Sequence, residues 1–192
     1  MARAQAGRRP VTRERLFERA LAIIDAGGLE ALTMRRLAAD VGVEAASLYH
    51  HVSGKDELLD GALSLMRSEM VFAEPLPQDW RALMELVFTT YLAVLAAHPN
   101  MLPLAGRRVG TDPQSGLVYL VSSGFPEEDA VELWQSINAF TVGFAAFSSA
   151  FTTTDTSDLP EGLARRMAQW RETTSRRTLG LIMTGYEPSR RR

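Results

Sequence analysis

Residues 33–55 read TMRRLAADVGVEAASLYHHVSGK, and this stretch predicts two short helices joined by a tight turn. In the first helix, apolar residues recur at i, i+3, i+4 and i+7 from Met34, directly after Thr33, a residue type that caps helix N-termini well. Gly42 follows where this helix must end, because glycine adopts the left-handed backbone conformation without steric cost. A second helix over residues 44–51 then completes a helix-turn-helix.

The outer side of the second helix has the chemistry of a DNA-reading surface. Its side chains carry no acidic group, and the small ones allow the backbone to lie deep in the major groove. On the first helix Arg35 can bond a guanine with two hydrogen bonds, and Lys55, at the start of the next helix, can bind phosphate together with free amides. Ser53 and Asp56 have the spacing of a capping box at that helix start. The residues predicted to contact DNA are Thr33, Arg35, Ala45, Ala46, Ser47, Tyr49, His50 and Lys55.

The charge of the chain is placed unevenly. Its 21 basic and 23 acidic residues give a net charge of −2, yet residues 1–55 hold nine basic and six acidic side chains. A basic end on an acidic body is typical of proteins that bind nucleic acid at one end. Residues 1–10 are predicted to be a disordered basic arm that either follows the DNA backbone or only increases solubility.

Composition also excludes several kinds of site. The chain has no cysteine, so it can form neither disulfides nor a thiol redox sensor, which fits the reducing cytoplasm. His50 and His51 are neighbours in a helix and point about 100° apart, so they cannot hold one metal ion together. We therefore predict no metal and no cofactor, and the N-terminus lacks the apolar core of a signal peptide.

The remainder of the chain predicts further helices and a second domain. Helices are expected at 53–72, 79–97, 113–123 and from 126, with a last one from 158 and a short one after Pro99. The predicted class is all-α with about nine helices. The predicted organisation is a basic arm at 1–10, a three-helix DNA-binding domain with its connecting helix at 11–72, an effector-binding and dimerisation domain at 73–184, and a disordered tail at 185–192.

The last two helices are too apolar for one chain to cover. The segment 134–154 has no charged residue, but its many polar side chains predict a buried helix and no membrane partner. A four-helix bundle across a two-fold axis would bury these helices in a homodimer. The residues predicted at the dimer interface are Phe140, Phe144, Phe147, Phe151, Met167, Trp170 and Leu181.

The first third of the chain resembles the tetracycline-repressor (TetR) family of bacterial one-component regulators. The match is carried by the helix 13–26 with Gly27 and Gly28, by Leu37-Ala38, by Val41-Gly42-Val43, and by the run 48–52 with Lys55. A looser match to the C-terminal domain of the tetracycline repressor itself lies at residues 78–80, 95–98, 123–125 and 140–143. The resemblance implies a C-terminal domain that dimerises and binds a small-molecule effector.

The effector pocket that this resemblance implies would use inward residues of mixed polarity. They are Met84, Phe88, Tyr91, His98, Met101, Leu102, Trp134, Gln135, Asn138 and Thr141, although aromatic and Met residues at helical spacing are also ordinary core residues. The tetracycline repressor holds a drug–magnesium complex with a histidine in the loop before its seventh helix. Residues 101–108 here contain no histidine, so tetracycline and a metal are not predicted as the effector.

The residues and the resemblance together predict a cytoplasmic, homodimeric transcriptional regulator. As a repressor it would bind a palindromic operator in double-stranded DNA and be released by a small molecule; an activator role stays open. Two alternatives are a ligand-independent DNA-binding scaffold and an all-helical enzyme. The enzyme is disfavoured because the chain has no Gly-x-Ser-x-Gly elbow, no phosphate-binding loop and no His-x-x-x-His spacing, and no catalytic residue is predicted.

Overall fold

The structure is a computed structural model that describes residues 10–107, 116–151 and 158–186, without the side chains of 150–151 and 167–173. The described residues form helices and connecting turns, with no strand among them. The predicted all-α class is therefore confirmed. The predicted basic arm lies almost entirely outside the described residues, as does most of the predicted C-terminal tail.

An N-terminal unit of four helices contains the predicted helix-turn-helix. The helices are α1 (Arg13–Gly27), α2 (Met34–Val41), α3 (Ala45–Leu48) and α4 (Lys55–Ser68). α1 packs against α4 and α2, and α3 packs against α2. The apolar stripes predicted from sequence face one shared core, whose fully shielded residues include Leu16, Ile24, Leu37, Leu48 and Leu58.

The C-terminal unit contains four further helices and a short 3-10 helix. They are α5 (Trp80–Ala97), the 3-10 helix (Pro99–Leu104), α6 (Gly116–Ser122), α7 (Glu127–Phe151) and α8 (Glu161–Thr184). Asp79 caps α5 by accepting a hydrogen bond from the Ala82 amide at 2.9 Å. α7 packs against α5, α6 and α8, so it is the central helix of this unit.

One expected helix is shorter in the structure, and two residues of the predicted dimer interface make contacts within the chain. The helix predicted over 53–72 begins at Lys55 and already ends at Ser68, followed by a non-helical connection to α5. Phe140 and Phe144, predicted at the dimer interface, pack inside the chain. The Phe140 ring stacks on Phe88 with 5.4 Å between centroids, and Phe144 lies 6.3 Å from the same ring. Both rings are therefore turned to α5 within the chain, and the place of these two residues at the dimer interface stays a prediction.

Among the described residues, α5 is the one helix long and apolar enough to cross a bilayer, with a mean hydropathy of 1.3. Its neighbours within the fold are α4, α7, α8 and the 3-10 helix. Residues such as Met84, Phe88 and Leu95 are fully or almost fully shielded by these contacts. An apolar helix surrounded on several sides is ordinary for a protein core, because each apolar face meets another helix.

Candidate nucleic-acid interface

The turn between α2 and α3 is fixed by two local devices. The Thr33 hydroxyl accepts a hydrogen bond from the Arg36 amide at 3.1 Å, which caps α2 as predicted. Gly42 has φ 78° and ψ 37°, and its N–H donates to the Ala38 carbonyl at 2.9 Å. A residue with a side chain would be strained in this left-handed conformation, so glycine defines the angle at which α3 leaves α2.

α3 is shorter than predicted. Regular helix ends at Leu48, and the chain continues through turns in which the His51 and Val52 amides both donate to the Leu48 carbonyl, at 2.9 and 3.0 Å. Leu48 and Val52 point inward and are buried. The segment predicted as a helix over 44–51 is therefore one α-helical turn followed by a looser segment that is still hydrogen-bonded. The side chains of Tyr49 and His50 in this segment are exposed.

Most of the predicted DNA-contacting side chains lie on one exposed surface, which we call the reading surface: Thr33, Arg35, Ala46, Ser47, Tyr49 and His50. Tyr49 is 57% exposed, a large fraction for an aromatic residue with no function at the surface. Arg35 forms no hydrogen bond or ion pair with any residue of the described ranges, so its guanidinium is available. Ala45 is half-buried and packs partly against the core.

The N-terminus of α4 is open to an anion. Its N-cap residue is Gly54, which has no side chain to accept a hydrogen bond from the first-turn amides. Lys55 is the first helical residue, and the charge of the adjacent Asp56 is met by Arg107 at 3.3 Å. The amides and the lysine can therefore bind a phosphate, as helix N-termini commonly do.

The capping box predicted from Ser53 and Asp56 is wrong, because Glu57 takes that role. A Glu57 carboxylate oxygen accepts from the Ser53 amide at 2.7 Å and from the Ser53 hydroxyl at 2.8 Å. These two hydrogen bonds and the nearby Arg13 guanidinium lower the pKa of Glu57. The carboxylate therefore stays ionised and joins the turn before α4 to α1.

Two of the arginines counted in the basic end are already paired. Arg13 pairs with Glu57, and Arg19 binds both oxygens of Asp40 at 2.5 and 2.8 Å. The hydrogen bond from Arg19 is the main reason that the pKa of Asp40 is lowered. These arginines connect α1 to α2 and α4, so the positive charge left for DNA lies with Arg35, Lys55 and their surroundings.

The predicted effector residues fall into two groups. Met84, Phe88 and Thr141 are buried in the C-terminal unit, and the Trp134 ring lies over Gly116 of α6. Asn138 is half-buried, and its amide donates to the Trp134 carbonyl at 2.7 Å. Tyr91, Met101 and Leu102 pack in the core cluster that includes α1 and α4. Gln135 is exposed, and both ring nitrogens of His98 are bound to carboxylates.

The structure does not join these residues into one cavity. Two cavities of about 400 and 530 Å³ in the described part of the chain lie elsewhere, one between the end of α1 and the 3-10 helix and one along α1 beside Asp40. Among the predicted effector residues, one buried atom nevertheless lacks a hydrogen-bond partner that a ligand could supply. The Tyr91 hydroxyl is shielded from solvent and has no hydrogen-bond partner in the described ranges.

The outer face of α7 and α8 holds the exposed part of the predicted dimer interface. Phe147 is 51% exposed and Leu181 is 65% exposed. Phe151, Met167 and Trp170 belong to helices α7 and α8, but their side chains lie outside the described ones. Sequence alone separates neither Phe147 from Phe144 nor the core face from the outer face, because α7 from Trp134 onward has no charged residue to mark its outer face.

Several ion pairs at the contact between the units have no signal in the sequence. They join Asp25 and Glu69 to His98, over sequence separations of 73 and 29 residues. Arg67 donates from α4 to the Ala105 carbonyl at 2.7 Å across the same contact. No residue pattern marks such pairs, because they depend on how the helices pack.

The fold and the reading surface define the class of this protein as a helix-turn-helix DNA-binding protein with an appended helical domain. A family model described as "Bacterial regulatory proteins, tetR family" matches residues 16–62, which are α1 to the first half of α4. The chain belongs to the TetR family.

Known relatives and structures agree with this assignment. The chain is 34% identical over 157 residues to the HTH-type transcriptional repressor DrrR1 of Streptomyces coeruleorubidus, covering 72% of this chain and 57% of that protein. It is 32% identical over 139 residues to the tetracycline repressor protein class E of Escherichia coli, covering 65% and 62%. The matches thus span less than two thirds of these two relatives. The crystal structure of the TetR-family protein ActR of Streptomyces coelicolor in complex with actinorhodin aligns with TM-score 0.72 and 27% identity, over 92% of this chain and 97% of that one.

Proposed function

We propose that the protein is a homodimeric transcriptional repressor that binds a palindromic operator and is released by a small-molecule effector. The observation that carries the proposal is the reading surface, where Arg35, Ser47, Tyr49 and His50 lie exposed next to the open N-terminus of α4. The relative DrrR1 is named a repressor, and ActR binds actinorhodin. Such a protein would act in the cytoplasm, where the bacterial chromosome is.

In this proposal each subunit places α3 and the following turn in the major groove of a half-site. Arg35 reads a base, while Lys55 and the first-turn amides of α4 bind a phosphate and fix the register. Residues 11–72 bind DNA, and residues 73–184 bind the effector and the second subunit. The direct test is selection of bound duplexes from random DNA, which should enrich two inverted half-sites about 34 Å apart or a multiple of that distance.

Two substitutions separate base reading from phosphate binding. Replacing Arg35 by alanine should weaken operator binding by about 1–3 kcal/mol and relax selection at one base position. Replacing Lys55 by alanine should weaken binding to all sequences alike and reduce the slope of log affinity against log salt concentration by about one. Fluorescence anisotropy on the selected duplex and on single-base variants measures both effects. If both variants keep the affinity and the sequence preference of the unmodified protein, the proposed docking is wrong.

The effector is proposed to bind between α5 and α7, in contact with the Tyr91 hydroxyl. A buried hydroxyl without a hydrogen bond destabilises the ligand-free protein, and a polar group of a ligand would satisfy it. The aromatic residues Phe88, Phe140 and Trp134 beside α5 and α7 would contact the apolar part of such a ligand. In this proposal the ligand enters by displacing side chains that now fill the space.

Replacing Tyr91 by phenylalanine should therefore have opposite effects on the free and bound protein. Removal of the unpartnered hydroxyl should raise the unfolding temperature without ligand, by about 2–4 °C for each kcal/mol gained. The rise in unfolding temperature caused by a bound ligand, with actinorhodin as the first compound in a panel, should become smaller. Thermal shift and release from DNA are measured in parallel. A protein that no compound both stabilises and releases from DNA is instead the ligand-independent scaffold.

A further inference from the structure

Three helices of the protein end at one side chain, that of His98. Asp25 lies in the last turn of α1, Glu69 follows the last residue of α4, and His98 itself follows the last residue of α5. The His98 Nδ1 atom is 2.9 Å from an Asp25 carboxylate oxygen, and Nε2 is 3.0 Å from a Glu69 carboxylate oxygen. The side chain is 12% exposed. One ring therefore touches both long helices of the N-terminal unit.

The electrostatics of this cluster require a cation. The C-terminal ends of helices carry partial negative charge, and here two carboxylates add to it. The last turns of α1 and α5 contain no basic residue, while Arg67 in α4 donates to the Ala105 and Arg107 carbonyls instead. A carboxylate accepts hydrogen bonds only, so both ring nitrogens must donate, and imidazolium is the form of histidine that does so.

Asp25 depends on this contact more than Glu69 does. Its second carboxylate oxygen is shielded from solvent and has no hydrogen-bond partner in the described part of the chain. Glu69 is closer to the solvent, with 46% of its side chain exposed. Loss of the proton from His98 would leave one of its two nitrogens as a lone pair facing a carboxylate oxygen, which is repulsive.

The titration of His98 follows the same geometry. Burial lowers the pKa of His98, but the hydrogen bonds with Glu69 and Asp25 raise it by more, so its pKa lies above the ordinary histidine value. Asp25 from α1 and Glu69 after α4 are the charged groups that act on the ring. Because the folded-state pKa is raised, the stabilisation is complete below the ordinary value of about 6.5 and is lost as the pH rises through the raised value.

We propose that protonated His98 is the positioning residue that holds the C-terminal unit against both α1 and α4 and thereby fixes the orientation of the reading surface. This inference rests on the proposed function, since orientation matters only where two paired DNA-binding units must fit one operator. Neutralisation of the ring then weakens operator binding without any change on the reading surface. Asn100 supports the same contact independently of pH, because its amide donates to the Ile24 and Asp25 carbonyls at 3.1 and 2.9 Å.

Thermal unfolding between pH 6 and pH 9 tests the contact, with His98→Gln and Asn100→Ala as a matched pair. At pH 6 the unmodified protein should unfold on the order of 3 °C above His98→Gln, and this difference should vanish towards pH 9. Asn100→Ala should be destabilised by a similar amount at every pH. Parallel pH profiles for the unmodified protein and His98→Gln would overturn the inference.

Operator binding tests the positioning role, which a merely stabilising residue would not show. His50 lies on the reading surface and His51 is its neighbour, so binding is measured in a background with both changed to glutamine, using a duplex selected by that background protein. The dissociation constant of this background protein for its duplex should rise about tenfold from pH 6 to pH 8.5. With His98→Gln added, the dissociation constant should be as high at pH 6 as at pH 8.5. An unchanged pH dependence after loss of His98 contradicts this inference alone. Failure of the unmodified protein to select any duplex contradicts the proposed function instead.

Discussion

Gly61→Val is expected to lower the free energy of unfolding by about 3 kcal/mol or more, the largest effect on stability that we predict for one substitution. Gly61 lies in α4 where the Phe17 ring of α1 packs against it. A Cβ atom at this position would be 2.2 Å from Cδ1 and 2.4 Å from Cγ of Phe17. The ring cannot avoid it by turning about its own axis, because Cγ stays where it is. α1 must therefore move away from α4, or Phe17 must leave its place.

The consequences extend to the DNA-binding unit as a whole. The Arg13 guanidinium lies 5.8 Å from the centre of the Phe17 ring and pairs with Glu57, which holds the turn before α4. Displacement of Phe17 therefore also disturbs the α4 N-terminus proposed to bind phosphate. Operator affinity should fall together with stability, although Gly61 is buried and cannot touch DNA.

Chemical denaturation at fixed protein concentration measures the effect, and two variants control it. A Cβ atom added at Gly162 in α8 would meet no neighbouring atom within 4 Å, so Gly162→Ala should gain up to about 1 kcal/mol from helix propensity alone. Phe17→Leu should rescue part of the loss caused by Gly61→Ala, giving a double variant more stable than the sum of the single changes. Strict additivity of these two substitutions would contradict the proposed clash.

Local features of the fold are predictable because their causes lie within a few residues. The Thr33 cap, the left-handed Gly42 and the Asp79 cap each depend on one side chain and the backbone beside it, and the structure contains all three. The reading surface follows from the same pattern, since helical spacing separates its inward residues from its outward ones. Whether those outward residues contact DNA remains a prediction.

Contacts between distant residues are not predictable in the same way. The sequence assigns Ser53 to a capping box with Asp56, whereas the structure uses Glu57, because α4 begins one residue later and Glu57 is its third residue, where Arg13 of α1 also pairs with it. The sequence also places His98 in a pocket, yet its neighbours come from α1 and the end of α4. Apolar periodicity gives the faces of a helix, but it does not say which neighbour covers each face.

The predicted dimer interface is a further contact that apolar periodicity alone does not locate. Phe140 and Phe144 pack within the chain, and the exposed face of α7 lies beside them around the helix. That face presents the small residues Ala139, Gly143 and Ala146, all exposed, next to Phe147. Small residues allow a second helix to approach closely, and Leu181 of α8 adds a large exposed side chain.

Phe147→Asp is therefore expected to raise the dimer dissociation constant at least 100-fold, about 3 kcal/mol, because a carboxylate would be buried where an aromatic ring packed. Val118→Asp is the matched control, since Val118 is 56% exposed, close to the 51% of Phe147, but belongs to a different helix, α6. Analytical ultracentrifugation of both variants over a concentration series gives the dissociation constants. A monomeric Val118→Asp beside a dimeric Phe147→Asp would place the interface on α6 instead.

The monomeric Phe147→Asp variant should also show how much operator binding depends on the pairing of two subunits. Phe147→Asp leaves every residue of the reading surface in place, so binding to a single half-site should be unchanged. Binding to the full operator should fall by about 10²–10⁴, because the second half-site no longer binds at the high effective concentration that a dimer provides. A full-operator affinity that survives in the monomeric variant would mean that each subunit reads DNA independently. The effector could then not act by changing the distance between the two subunits, and release would have to come from the reading surface itself.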